Sequence, residues 1–390
     1  MQRRRFIRLA GGGVLGSTLA AAGCSTALPD EALAAWAGPA GETDVRRWAL
    51  AHALLAPSSH NRQPWLVDLR EPNVITLHVD RERLLPETDP WFRQIVVSQG
   101  TFVELLLIAL KERGLAPQLQ LFPQGEFAAR TLDDRPVARV SWDPAAAAPT
   151  RDPLFAQILR RHTAKVPFDV ARAVDPAHAA ALLAALPANV PGLRCGHTLQ
   201  PEAVERLRGL CLDAARVEVG TPRTALESAR LMRIGPDEIR RHRDGISIND
   251  LVPRAATALG LFDREQAPQP GSRTFDRVID RFAEHTRTAM GFTWLLTEAA
   301  PGRTRSAEVN AGRAFVRQQL AATALGLQMH PMSQAPQEFP EMKPHHDALR
   351  RLLTGRDDGA VTVQMLSRLG YCAPVAPAPR RPLDSLIRAA

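Results

Sequence analysis

Two short stretches carry residue types that could do chemistry together. Residues 56–65 read APSSHNRQPW, and residues 160–168 read RRHTAKVPF. In the first, Ser58, Ser59, Asn61 and Gln63 offer hydroxyls and amides that both donate and accept hydrogen bonds. This composition suits a solvated turn, because Ser and Asn side chains bond nearby backbone groups. It equally suits a loop that reads a flat, polar ligand. In the second stretch, the guanidinium of Arg161 and the hydroxyl of Thr163 match the oxygens of a phosphate. In isolation the same residues also make an ordinary solvated helix face. Ser59-His60 does not read as a hydrolase pair, since adjacent residues are expected to point apart and the chain has no G-x-S-x-G turn. His330 and the pair His345-His346 lack ligand-like company and read as surface or capping residues. Cys195, Cys211 and Cys372 show no C-x-x-C spacing, so neither a disulfide framework nor a metal centre is expected.

The elements that must position these stretches are legible from pattern. Trp48, Ala51, Leu54 and Leu55 recur at helical spacing over 46–55, and WLVDL after Pro64 alternates as a strand does. A weak internal repeat follows. Residues 100–115 and 312–327 both run from a glycine to Gly-Leu fourteen residues later, with apolar filling suited to a buried helix that ends on glycine. Each is followed by strand-like sequence, at 118–122 and 137–142 in the first half and at 360–366 in the second. Helices and short strands in this order predict an α+β fold in two tandem halves, 40–150 and 151–390. The boundary falls in the Pro- and Ala-rich stretch 143–153. A charged, mostly helical insertion is expected over about 200–290, with helices at 202–219 and 273–288. The arm 371–390, containing PVAPAPRRP, reads as extended chain.

The 390 residues carry a formal charge of +8, of which Arg3, Arg4, Arg5 and Arg8 supply four. The remaining +4 does not call for nucleic acid. Past the first thirty residues, no segment is expected to be long and apolar enough to span a bilayer. Residues 1–27 have the basic start, short apolar stretch and small-residue end of a secretory signal. Within them, Arg3-Arg4-Arg5-Phe6-Ile7-Arg8 resembles a twin-arginine signal. Ala21-Ala22-Gly23-Cys24 resembles a lipobox with Ala21 where Leu is usual, and cleavage after Ala27 is the alternative. Export by the twin-arginine translocase to the periplasm or cell envelope is therefore expected, with a possible lipid anchor.

The two opening stretches, taken together, resemble a known family. Residues 56–65 are similar to the P-S-S-x-N-x-Q-P-W loop of the FMN-dependent nitroreductase superfamily, and residues 160–168 resemble its R-x-[ST]-x-[RK] motif. Gly326-Leu327-Gln328-Met329-His330-Pro331-Met332-Ser333 is similar to its G-L-x-x-x-P-[MI] element. Leu369-Gly370-Tyr371 and Pro379-Arg380-Arg381-Pro382 resemble its closing segment. The order is inverted relative to ordinary members, with the P-S-S loop in half one and the R-x-[ST]-x-[RK] motif in half two. That order, with the export signal, resembles the Acg branch, a fused, duplicated nitroreductase fold acting as a pseudo-dimer.

The resemblance implies one FMN site per chain. Arg161 and Thr163 would meet the phosphate, with Arg380 or Arg381 closing from the arm. Lys165 would stabilise charge at the ring's N1/O2 edge. Ser58, Ser59, Asn61 and Gln63 would satisfy ring carbonyls, N3 and ribityl hydroxyls, and Pro331-Met332 would bring Ser333 and Gln334 towards N5 and O4. Relatives often have glycine where Gln334 stands, which would narrow access. Trp65, Trp91 and Trp294 read as core rather than flavin-stacking residues. Two functions follow. One is an oxidoreductase passing electrons from NAD(P)H or another donor to nitroaromatic, quinone or similar small-molecule acceptors. The other is an FMN-sequestering protein with its flavin covered by a lid from residues 220–285. The fusion implies that a monomer could hold the whole site, and a homodimer is also compatible.

Overall fold

The computed structural model describes residues 26–188, 190–298 and 304–388. The twin-arginine stretch and Cys24 lie outside them. Half one opens with the helix Val45–Ala53, whose Asp44 cap accepts from the amide of Arg46 at 2.8 Å. Its strands β1 (Trp65–Asp68), β2 (Val74–Val79), β3 (Gln118–Leu121) and β4 (Ala138–Ser141) form an antiparallel sheet in the order β1-β2-β4-β3. Half two opens with the helix Pro176–Ala184 and β5 (Leu193–Thr198). The insertion then carries helices Pro201–Gly220 and Arg273–Arg287, with a two-stranded parallel pair, β6 (Met232–Ile234) and β7 (Ile246–Ile248), between them. After it come β8 (Gly291–Glu298), β9 (Gln328–Pro331) and β10 (Val361–Gly370), which form an antiparallel sheet in the order β5-β8-β10-β9.

The two sheets share one topology. In each half two strands precede a long helix and two follow it, with the last strand inside the sheet. The fold is thus α+β in two tandem halves, and the insertion occupies the place of the short β1–β2 connection.

The repeat glycines have a different role from the one their spacing suggests. The central helices are Arg93–Glu112 and Arg305–Ala324, so Gly100 and Gly312 lie inside them rather than at their starts. A Cβ on Gly100 would stand 1.9 Å from the carbonyl oxygen of Val309, and one on Gly312 would stand 1.9 Å from that of Val97. Each glycine lies three residues beyond the other's colliding carbonyl, so the helices cross reciprocally about this point. Only glycine allows such an approach, which outweighs its poor helix propensity. Gly114 and Gly326 do end the helices, with φ of +76° and +67°.

The expectation about membrane spans needs correction. Arg93–Glu112 is 20 residues long with a mean hydropathy of 1.4, long and apolar enough to cross a bilayer. Its hydrophobicity reflects burial on all sides between the two halves, where no face needs to be polar. The C-terminal arm runs without helix from 371 to 382 and returns to half one. There Ile387 makes a parallel bridge to Val67, and Arg388 N donates to the Val67 carbonyl at 2.8 Å.

Candidate functional site

The loop between Val45–Ala53 and β1 holds three non-glycine residues in left-handed conformation: His60, Asn61 and Gln63, with φ of 47°, 51° and 51°. Each such residue costs about 1–3 kcal/mol, so neighbours must hold it in place. They come from three directions. The amide of Gln63 donates to Ser58 Oγ at 2.9 Å, and Ser59 Oγ donates to Gln94 Oε1 on the first central helix at 3.1 Å. Asn61 Nδ2 donates to the Pro379 carbonyl, and its Oδ1 accepts from Arg380 at 3.1 Å. Gln63 is fully buried; its Nε2 donates to the Arg243 carbonyl at 2.8 Å and its Oε1 accepts from the amide of Arg381 at 2.8 Å. The amides of Asn61 and Gln63 are therefore engaged with the C-terminal arm and the insertion, and Ser58 and Ser59 with the loop and the central helix.

The R-x-[ST]-x-[RK] stretch of half two lies against this loop. Arg161 is buried, donates to the Leu55 carbonyl at 2.8 Å and to Gln319 Oε1 at 3.1 Å, and its Nε has no partner among the described residues. Arg380 is also buried and donates to the carbonyls of Leu54, Leu55 and Ala56. Both guanidiniums stand near the ring of Trp36, at 5.7 and 5.0 Å. Neither is bonded to a carboxylate among the described residues. Burial alone brings Arg161 down to about 10, while burial and then Arg161 hold Arg380 well below the usual arginine range. His162, edge-on to Trp36, falls to about 4 through burial and the same two charges. Thr163 Oγ1 accepts from Gln319 Nε2 at 3.4 Å.

Lys165 is solvent-accessible but surrounded on most sides by protein. This desolvation, with repulsion from Arg281, lowers its ammonium to about 8. Its charge also reaches His60, whose Nε2 lies 3.2 Å from Ser228 Oγ and whose ring is lowered to about 4, chiefly by burial. Arg381 differs from Arg380: it lies 3.4 Å from Asp80 and bonds the carbonyls of Gln63 and Ser385, which places it behind the loop.

The third element follows β9. Met332 is buried in the second-half core and its amide donates to the Leu366 carbonyl at 2.8 Å. Pro331, Ser333 and Gln334 are half-buried. Glu218, buried on the insertion helix Pro201–Gly220, accepts from Gln337 Nε2 at 2.6 Å and also meets Gln334. Burial pushes its carboxyl up to about 7. His330 is not the surface or capping residue its sequence context suggests. It is buried, and its Nδ1 accepts from Arg368 Nε at 2.9 Å. The strand register of β9 against β10 places it opposite Arg368, which no local pattern reveals.

Trp36 and Gln319 escaped the sequence reading. Trp36 lies before the first recognisable helix, in a short turn that offers no periodicity. Gln319 carried a signal, since a Gln-Gln pair stands inside an otherwise buried helix. Among the described residues no cluster of three or more His, Cys, Asp or Glu could hold a metal ion. Chemically, the assembly is a buried, uncompensated pair of guanidiniums beside a strained amide-rich loop, with an accessible lysine nearby. It suits an anion joined to a larger polar body.

No family model matches the chain. A Mycobacterium tuberculosis protein named NAD(P)H nitroreductase acg is 30% identical over 127 residues, which is 32% of this chain and 36% of the relative. An uncharacterized protein of the same organism is 32% identical over 126 residues, covering 31% of this chain and 35% of its own. The chain thus spans about a third of the length of the curated relatives it matches. Among solved structures, the FMN-dependent nitroreductase NfnB from Mycobacterium smegmatis in complex with NADPH is similar at a TM-score of 0.36. It is 17% identical over 60% of this chain and 96% of that one. NfnB from Sphigopyxis sp. strain HMH is similar at a TM-score of 0.38, with 16% identity over 61% of this chain and 98% of that one.

Proposed function

We propose that this chain, a homologue of nitroreductase acg over about a third of its length, is an FMN-binding oxidoreductase of the nitroreductase type. One observation carries the reading: Arg161 and Arg380, from the second half and the arm, are buried side by side with no carboxylate bonded to either among the described residues, against the strained loop of the first half. Burying such charges unpaired is costly, and a bound dianion removes the cost. The orphaned Nε of Arg161 is a donor left over for it. The residues present therefore fit an FMN phosphate at this place.

When bound, FMN supplies hydride acceptance and delivery at N5. The chain's own residues do the rest. Arg161, Arg380 and Thr163 would hold the phosphate. Lys165 provides a cation whose charge stabilises negative charge developing nearby. Ser58, Ser59, Asn61 and Gln63 keep the loop in its left-handed conformation, which would leave its backbone to meet the ligand, with Arg381 bracing Gln63 from behind. The segment Pro331, Met332, Ser333 and Gln334 would border the reactive edge of a bound flavin, with Glu218 bonded to Gln334. NAD(P)H is the donor we favour, and nitroaromatics, quinones or similar small molecules are the acceptors. Residues 1–27 send the protein through the twin-arginine route to the periplasm or envelope.

A second reading, sequestration with little turnover, is favoured by how the insertion clamps the loop. Gly245 N donates to the Asn61 carbonyl at 3.2 Å, Gln63 bonds the Arg243 carbonyl, and Ser228 meets His60. An absorbance spectrum of the purified protein, followed by anaerobic NADPH addition, separates the two. A near-stoichiometric flavin band that bleaches supports the oxidoreductase, and one that persists supports sequestration. No flavin after FMN is supplied during refolding would sink both.

A further inference from the structure

One helix of the insertion is built inside out. In Leu251–Ala258 and the turn after it, the residues open to solvent are Leu251, Val252, Ala255, Ala258, Leu259, Gly260 and Leu261. The large ones are 50% (Leu251), 65% (Val252), 72% (Leu259) and 76% (Leu261) exposed. At helical spacing Leu251, Val252, Ala255 and Leu259 share one face. The polar residues face the protein instead. Arg254 and Thr257 are half-buried, and the Arg254 side chain lies 3.8 Å from where a Cβ on Gly235 would stand. Gly260, at φ +67°, caps the helix, and Leu261 N donates to the Ala256 carbonyl at 2.8 Å. That turn carries the chain on into the outward-facing Leu261. A water-facing helix has the opposite arrangement.

The place of this face indicates what covers it. Asn249, two residues before the helix, donates through Nδ2 to the Ala27 carbonyl at 2.6 Å. The chain preceding Ala27 holds an apolar stretch after four arginines, and Cys24. Three residues of extended chain reach about 10 Å, so a lipid on Cys24, or a membrane-inserted leader, would hold Leu251–Leu261 at the lipid surface. We propose that the exposed apolar face of Leu251–Leu261 docks into the lipid bilayer beside the N-terminal segment. The two would form a pair of membrane contacts, neither of which need be strong alone. The cellular setting rests on reading residues 1–27 as an export segment. The choice of a bilayer as the occupant rests on the same reading, through Cys24 or the leader beside Ala27.

The test is flotation of the full chain with phosphatidylethanolamine–phosphatidylglycerol vesicles, wild type against L251Q/V252Q/L259Q/L261Q, with amide hydrogen exchange read in parallel. The expected result is at least about a tenfold fall in partition for the variant. In the wild type, exchange should slow over residues 251–261 when vesicles are added. An unchanged unfolding temperature shows that the variant still folds. Equal partition of the two proteins overturns the proposal. So does slow exchange at 251–261 without vesicles, whether it appears with a doubled mass (a second copy covers the face) or is released by removing residues 1–25 (the chain's own leader covers it). Mass spectrometry of the mature N-terminus judges the export reading separately.

Discussion

The two halves share a topology but differ at one connection. In half one, the loop from Val45–Ala53 to β1 carries three left-handed non-glycine residues, held by the arm and the insertion. In half two, the matching connection from Pro176–Ala184 to β5 has Gly192, at φ +71°, as its left-handed residue among those described. The central helices, by contrast, use the same glycine at the same crossing. The shared part is what any two such halves need to pack. Among the described residues of these two connections the strained part lies in half one, where Arg161 and Arg380 stand, and strain that must be held by outside neighbours is characteristic of a site. If the proposed site in this half is the working one, the duplicated frame is expected to tolerate changes asymmetrically.

The largest effect should come from the unshared side. Arg161→Ala should weaken FMN binding about 100-fold, by the loss of a buried charge-assisted contact. Arg161→Lys should recover little of it, since an ammonium lacks the fork. A fluorescence-quenching titration with FMN checks both, and near-wild-type affinity in either variant would detach the arginine from the phosphate.

The next effect probes the shared side. Gly100→Ala and Gly312→Ala should each destabilise the fold by about 3 kcal/mol or more, and by similar amounts, because each Cβ meets a backbone carbonyl that cannot give way. Gly326→Ala, whose Cβ meets open space but whose φ is +67°, should cost only about 1 kcal/mol. Thermal or denaturant unfolding measures all three. Unequal costs at Gly100 and Gly312 would mean that the crossing is not reciprocal in solution.

Gln63→Ala should cost about 2 kcal/mol, because it strands the amide of Arg381 and the carbonyl of Arg243. Limited proteolysis should then cut the arm near 371–382 sooner. If the arm stays protected, the strained loop is held by something other than Gln63.

The smallest effect is a pH slope. Glu218 and Asp89 are both buried, and burial raises each to about 7. A carboxyl raised in the folded state favours folding below its unfolded pKa. That advantage is lost as pH rises towards the folded value. Between about pH 4.5 and 7 these two carboxyls therefore subtract stability, against the gain from His60 and His162, whose lowered rings add stability as pH rises from about 4 to 6.5, and Glu218→Gln should shift the net slope upward by removing one of the opposing groups. An unchanged slope would mean that Glu218 is ionised in the fold.

Much of the frame was written locally. The helix of 46–55 is present as Val45–Ala53, the strand after Pro64 as β1, and the insertion helices at Pro201–Gly220 and Arg273–Arg287. Periodicity and caps act over a few residues, so a chain read alone exposes them. Helix starts were misread where a long-range contact set the rule. Gly100 looks like a boundary because glycine weakens helices, and only the opposing helix shows why it sits in the middle of one. His330 was misplaced for the same reason, since its partner Arg368 comes from another strand.

The candidate site divides along the same line. Residue types and order alone determined that a hydroxyl- and amide-rich loop and an arginine–threonine–lysine stretch exist, each with a stated chemistry. Tertiary structure alone decided that Asn61 and Gln63 brace the arm, that Arg380 joins Arg161 while Arg381 turns to Asp80, and that Trp36 and Gln319 complete the cluster. The physical reason is that a side chain's chemistry travels with its type. The partner that uses up that chemistry is chosen by packing between segments far apart in the chain.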